Sequence, residues 1–165
     1  MQDARVDALE DVSVDGAAIE RLYREEGPRL WRTMVGFTGD ADVASDTVME
    51  AFAQLLRRGD AVRDPRRWIW RASFRIAAGE LQGRRRAMPM TNEEVYEMDE
   101  PAHDLVVALR SLSQRQRAAV VLHHGADYPV REVAAILGST PAAVKVHLLR
   151  GRRRLRELMG EDEHA

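Results

Sequence analysis

Apolar residues recur at three- and four-residue intervals along most of this 165-residue chain, and no useful stretch alternates with period two. That pattern restricts the fold to helices packed through amphipathic faces. Ile19, Leu22, Tyr23, Leu30, Met34 and Phe37 predict a first helix over residues 17–38, with Gly27-Pro28 expected to bend it. Gly39-Asp40 ends that helix. Either Asp40 or Asp42 can cap the next, which is expected to reach about Leu56. Beyond a loop at Gly59-Asp60, Asp64-Pro65 reads as the N-cap and first residue of a third helix carrying Trp68, Ile69, Ala72, Ile76 and Leu81. Further helices are expected over 103–111, 114–124 and 130–137, and from Pro141 onward. Ser113 and Gln116 have the spacing of a capping box. The expected fold is all-α: two small helical domains, residues 15–86 and 105–160, joined by a flexible acidic linker over 87–104.

Composition then removes several classes of function. An apolar content of 45% supplies packed cores, so the chain as a whole is not a disordered one. No run approaches the roughly 20 apolar residues of a membrane helix, and the acidic stretch Met1 to Asp15 is unlike a signal peptide. Membrane insertion is therefore not expected, and the cytoplasm is the simplest compartment. Without cysteine there is no disulfide, thiolate metal site or catalytic thiol. His123-His124 is a weak metal signal, because neighbours on a helix point to different faces and no carboxylate partner is evident. A Gly-rich phosphate loop, a nucleophile elbow and a convincing carboxylate pair are all missing. No catalysis, metal or cofactor is expected.

The net charge of -2 hides segregated blocks. Arg84, Arg85 and Arg86 close a basic stretch; residues 87–109 then hold Glu93, Glu94, Glu97, Asp99, Glu100 and Asp104 with no Lys or Arg. Basic character returns from Arg110 to Arg156 before the acidic tail Glu161-Asp162-Glu163. Such alternation says more about partners than the sum does. The densest cations follow "REVAAILGSTPAAVKVHLL". There Val133, Ala134 and Leu137 form one stripe, Gly138 permits a left-handed turn, Thr140 can cap, and Pro141 starts a second helix. Val144 and Leu148 can bury that helix on the first. This is a helix-turn-helix, with a slim first half suited to a major groove and Arg152, Arg153, Arg154 and Arg156 suited to phosphates.

Two segments resemble a known family. "LSQRQRAAVVLHHGADYPVREVAAILGSTPAAVKVHLLRGRRRLREL", residues 112–158, is similar to region four of the sigma-70 family of bacterial initiation factors. Residues 19–86 resemble region two, through "LYREEGPRLWRTMVGFTGDADVASDTVMEAF" and "DPRRWIWRASFRIAAGELQGRRR". The matches keep the family's order, and the short span between them resembles the extracytoplasmic-function (ECF) group.

The resemblance implies partners and roles. Core RNA polymerase would be held through the clamp coiled coil of its largest subunit and its flap, and promoter DNA by both domains. An anti-sigma factor often holds such proteins inactive. Asp42, Asp46, Met49, Glu50 and Ala53 fall on the helix that docks on polymerase, with Met49 where the family usually has glutamine. Arg58, Arg63, Arg66, Arg67, Trp70, Arg71, Phe74 and Arg75 are the implied minus-ten contacts, cations for a single strand's backbone interleaved with aromatics for unstacked bases. Trp68 is expected in the core, on one stripe with Ala72 and Ile76. Phe74-Arg75 and Gly79 depart from the family's pattern. Minus-thirty-five recognition falls on Thr140, Pro141, Ala143, Lys145, Val146, His147, Arg150, Arg153 and Arg154. Departures there are Val146-His147, where Ser-Arg is frequent, and Gly151, where Ala is usual. Two other readings compete: a LuxR-like helix-turn-helix regulator, and a sigma-like adaptor that binds polymerase without opening promoters. The linker's acidity fits either a plain spacer or an anionic segment threading the polymerase's basic channel.

Overall fold

The computed structural model describes residues 7–87 and 99–160, with side chains for 16–84 and 99–160. Seven α-helices account for most of the described residues: α1 (Asp7–Thr38), α2 (Ala41–Arg58), α3 (Pro65–Ala87), α4 (Glu100–Arg110), α5 (Gln114–Val120), α6 (Val130–Leu137) and α7 (Pro141–Met159). A 3-10 turn at Gly59–Ala61 follows α2, and a π-helical turn at Val121–Gly125 extends α5.

Local signals set most of these boundaries. Asp40 caps α2, its Oδ1 accepting from the backbone N–H groups of Asp42 (2.9 Å) and Val43 (3.1 Å). Burial pushes the Asp40 carboxyl up, but those two N–H groups and Arg84, 2.8 Å away, outweigh it and hold the pKa below the usual carboxylate range. Asp64 accepts from the N–H of Arg67 at the start of α3. Ser113 and Gln116 close a capping box, and Thr140 accepts from Ala143 N–H. Gly138 takes the left-handed conformation (φ 62°) between α6 and α7, whose axes are bent by 103°. That angle is the one a helix-turn-helix requires.

Three boundaries differ from expectation. Helix α1 begins at Asp7 and runs through Pro28, because the long stripe from Ile19 to Phe37 packs throughout and outweighs one lost backbone hydrogen bond. Residues 100–104 belong to α4 rather than to the linker, since Glu100 and Pro101 suit a helix's first turn. Ala87 likewise still belongs to α3. The remainder of the expected flexible linker, residues 88–98, lies outside the described residues, as does the acidic tail.

Helices α1–α3 form one lobe and α4–α7 a second, yet their buried apolar residues make one continuous cluster from Ile19 to Leu148. Polar contacts lock the seam. Arg117, buried, donates to the carbonyl of Phe37 (2.9 Å), and Arg110 donates to that of Gly39 (2.6 Å). Both cations satisfy the C-terminal end of α1, where carbonyls lack helical partners and the helix dipole is negative. At the other end of the seam, Arg29 donates to Tyr128 Oη (2.8 Å) and to the Ala126 carbonyl (3.2 Å), and lies over both the Trp70 and Tyr128 rings.

At Gly151 the packing leaves no room for a side chain. This glycine is buried in α7 against α5, and a Cβ there would stand 2.9 Å from Val120 Cγ2. Val120 is β-branched and buried, so it cannot swing aside cheaply. Gly151→Ala should therefore lose about 1 kcal/mol despite alanine's better helix propensity, read as an earlier urea midpoint at unchanged m-value.

Candidate functional site

Three surfaces combine the residues singled out by sequence. The first is a groove of about 470 Å³ between α2 and α3, lined by Val43, Asp46, Thr47, Met49, Glu50, Ala53, Ile76, Glu80 and Arg84. Asp46, Glu50 and Ala53 repeat every three or four residues, so one face of α2 carries them all. Met49 stands 59% exposed beside them and Leu56 continues the stripe at 56%. Glu50 accepts from Gln54 Nε2 (2.9 Å) and Arg57 (3.1 Å); the hydrogen bond from Gln54, helped by Arg57, outweighs the opposing effect of desolvation and lowers its pKa. Asp42 is exposed at the start of the same helix but does not line the groove. Ile76, Glu80, Arg84 and Leu56 were missed from the sequence, the first three because nothing local says which face of α3 lies beside α2.

The second surface is a cleft of about 720 Å³ between the lobes. Arg71, Phe74 and Arg75 of α3 line one wall; Arg115 of α5 and His147 and Arg150 of α7 line the other. Residues expected to contact the minus-ten and minus-thirty-five elements thus face a common space. Among the described residues no carboxylate lines it.

Two of the expected minus-ten contacts are not at the surface in this arrangement. Trp70 is 0% exposed, its Nε1–H donates to Glu26 Oε2 (3.0 Å), and its ring meets that of Tyr128 edge-on at 5.1 Å. Phe74 is 5% exposed and packs on Phe37, with ring centroids 4.9 Å apart. Both are buried while the two lobes are in contact, Phe74 at the wall of the cleft. Trp68, expected in the core, is instead half-buried at the edge, with the Arg58 guanidinium 5.7 Å from its ring centroid. The reason is that α3 is covered on two sides. Its own lobe takes Ile69, Ala72 and Phe74, which packs on Phe37 of α1, and the seam with the second lobe takes Trp70 against Tyr128.

Ion pairs engage two more arginines. Arg66 pairs with Glu25 (2.9 Å) and with the buried Glu26. Arg67 reaches Glu132 of α6 at 3.2 Å. Arg58, Arg63, Arg71 and Arg75 are exposed, so they remain open to an anionic strand.

The third surface is the outer side of α7. Val144, Leu148 and Gly151 are buried, which turns Lys145, Val146, Arg150 and Arg153 outward. Thr140 and Pro141 are exposed at its start, while Ala143 and His147 are half-buried. Arg153 (3.7 Å) and Arg154 (3.4 Å) share Glu157 in pairs so exposed that each contributes little. His123 and His124 do not point apart: the π-helical turn sets their rings 4.8 Å from each other, and His123 Nδ1 meets the Tyr128 carbonyl at 2.8 Å. Burial, then the charges of His123 and Arg152, lower the His124 pKa. Among the described residues no group of three or more His, Asp or Glu is placed to hold a metal, and no single helix is long and apolar enough to cross a membrane.

Comparison with known proteins adds relatives to this geometry. Residues 102–155 match the family described as Sigma-70, region 4. The chain is 26% identical over 164 residues to the RNA polymerase sigma factor CarQ of Myxococcus xanthus, covering 90% of this chain and 94% of that one. It is 27% identical over 168 residues to the ECF RNA polymerase sigma factor SigL of Mycobacterium tuberculosis, covering 90% and 93%. Among solved structures, the sigma factor RpoE of Bartonella quintana, crystallised with the anti-sigma factor NepR, superposes with a TM-score of 0.77 at 20% identity, over 87% of this chain and 97% of the other. That last likeness is one of fold.

Proposed function

We propose, for a chain that belongs to the ECF group of the sigma-70 family, that the α2–α3 groove holds core RNA polymerase while α3 and α7 engage the minus-ten and minus-thirty-five promoter elements. The protein is an ECF-type sigma factor, which directs the polymerase to promoters. Sigma factors are not enzymes, so the chemistry of transcription stays with the polymerase. One observation carries the assignment of surfaces. A single chain presents an acidic groove with an exposed methionine on one lobe and an arginine-edged helix-turn-helix on the other. The regulator reading is not favoured, since likeness to sigma factors extends over 90% of the chain rather than over the helix-turn-helix alone. RpoE was crystallised with its anti-sigma factor; an anti-sigma partner for this chain belongs to the same proposal, as does work in the cytosol beside the polymerase.

The roles proposed for the two lobes, residues 15–86 and 105–160, require them to part. The two promoter elements lie about 25 base pairs apart, or about 85 Å at about 3.4 Å per pair. Surfaces that share a cleft of about 720 Å³ cannot reach both. Binding of polymerase must therefore favour an open arrangement in which the Arg29–Tyr128 and Arg67–Glu132 contacts are lost. Dyes placed on exposed Ser45 of α2 and Arg156 of α7 should transfer energy efficiently in the free protein and several-fold less with core polymerase. Unchanged transfer in an active complex would refute the opening.

Transcription by purified core polymerase plus this protein, on a library of genomic promoters, tests the function itself. Start sites that depend on the protein are the expected result. Polymerase binding without initiation would convert the reading to an adaptor.

A further inference from the structure

The outward face of α7 carries apolar side chains that neither the core nor phosphate binding explains. Val146 is 44% exposed and Leu149 59% exposed, although both sit on the helix proposed to enter the groove. Their neighbours on that side are Ala142, Arg150 and Arg153, one or two turns away and also exposed. At about 100° per residue, Val146 lies opposite the buried line of Val144, Leu148 and Gly151, and Leu149 stands next to it. Leu149 escaped the sequence reading, because its neighbour Leu148 is the one that packs.

The chemistry of this face is narrow. Lys145, Arg150 and Arg153 donate hydrogen bonds, which suits phosphates and the acceptors of guanine. Along the exposed side from Ala142 to Arg153 there is no Asn or Gln to pair with adenine and no carboxylate to accept from cytosine. Only one base presents an apolar group in the major groove, namely thymine with its C5 methyl. The cations flanking Val146 and Leu149, continued by Arg152 and Arg156, match the charge of a duplex. An apolar protein partner would have to bury them without compensation.

We infer that Val146 and Leu149 read thymine methyl groups in the minus-thirty-five element and so help to set this sigma factor's promoter choice. The inference rests on α7 being the recognition helix of a sigma factor. Apolar contact replaces hydrogen-bonded readout at those steps, while Lys145 and the arginines hold register on the backbone.

Replacing thymine by deoxyuridine removes the methyl and nothing else, which makes the test direct. A promoter is first obtained by transcription selection with the holoenzyme, and each minus-thirty-five thymine is then replaced in turn. Holoenzyme affinity should fall about fourfold at one or two positions, the worth of one buried methyl. In Leu149→Ala or Val146→Ala the same uracil substitution should cost nothing at the matching position. Both side chains are exposed, so the variants should keep the wild-type melting curve. Full affinity for every uracil-substituted promoter would overturn the inference alone, as would equal losses in wild type and both variants. A protein that starts no transcription at all would sink the sigma-factor reading and this inference with it.

Discussion

Reversing Asp46 and Glu50 together to lysine is expected to weaken binding to core RNA polymerase about a hundredfold, roughly tenfold for each close charge contact turned from attraction to repulsion. Both carboxylates line the α2–α3 groove, and Gln54 and Arg57 lower the pKa of Glu50. Neither is buried, so the double variant should keep its helicity and its urea midpoint. Wild-type affinity should also fall steeply with salt, and that slope should flatten in the variant, because exposed charge interactions are screened over about 8 Å at physiological ionic strength. Met49 sits between the two acids with most of its side chain in water; Met49→Ala should weaken binding with no change in the salt slope. Titration of labelled protein with core enzyme reads all three. An Asp46→Lys, Glu50→Lys variant that binds as tightly as wild type would remove the groove from the interface.

Trp70→Ala should cost about 3–5 kcal/mol of stability, the usual toll of emptying a site this large. Trp70 is wholly buried, stacks edge-on against Tyr128 and lies under the Arg29 guanidinium. Its indole N–H is also one of the donors around Glu26, a buried carboxylate shared with Arg29 and Arg66. Truncation leaves that carboxylate short of a partner as well as opening a cavity. A domain of this size has about 5–15 kcal/mol in hand, so the variant should unfold at far lower urea and release its two lobes together. Trp70→Phe, which refills most of the space but lacks the N–H, should lose roughly 1–2 kcal/mol and separate the two contributions. A Trp70→Ala protein that melts like wild type while failing to open promoters would return Trp70 to the DNA surface.

Most helix boundaries were legible because their causes are local. Asp40, Asp64-Pro65, Ser113 with Gln116, and Gly138 through Pro141 each act within three or four residues, and each sits where its chemistry predicts. The grouping of Asp46, Met49, Glu50 and Ala53 on one face was legible for the same reason: one helix places them side by side whatever surrounds it. Likeness to the sigma-70 family, in two ordered segments, was readable as well.

Other features were settled only when distant segments met. Periodicity tells which residues share a helix face, but not how many faces will be covered. For α3 that number is two, which puts Trp70 and Phe74 inside and leaves Trp68 at the edge. The fate of a cation is equally non-local: Arg117 reaches Phe37 across 80 positions and Arg67 reaches Glu132 across 65. A sequence shows that these side chains carry charge. Which of them face DNA, and which close the ends of another lobe's helices, depends on packing that no short window contains.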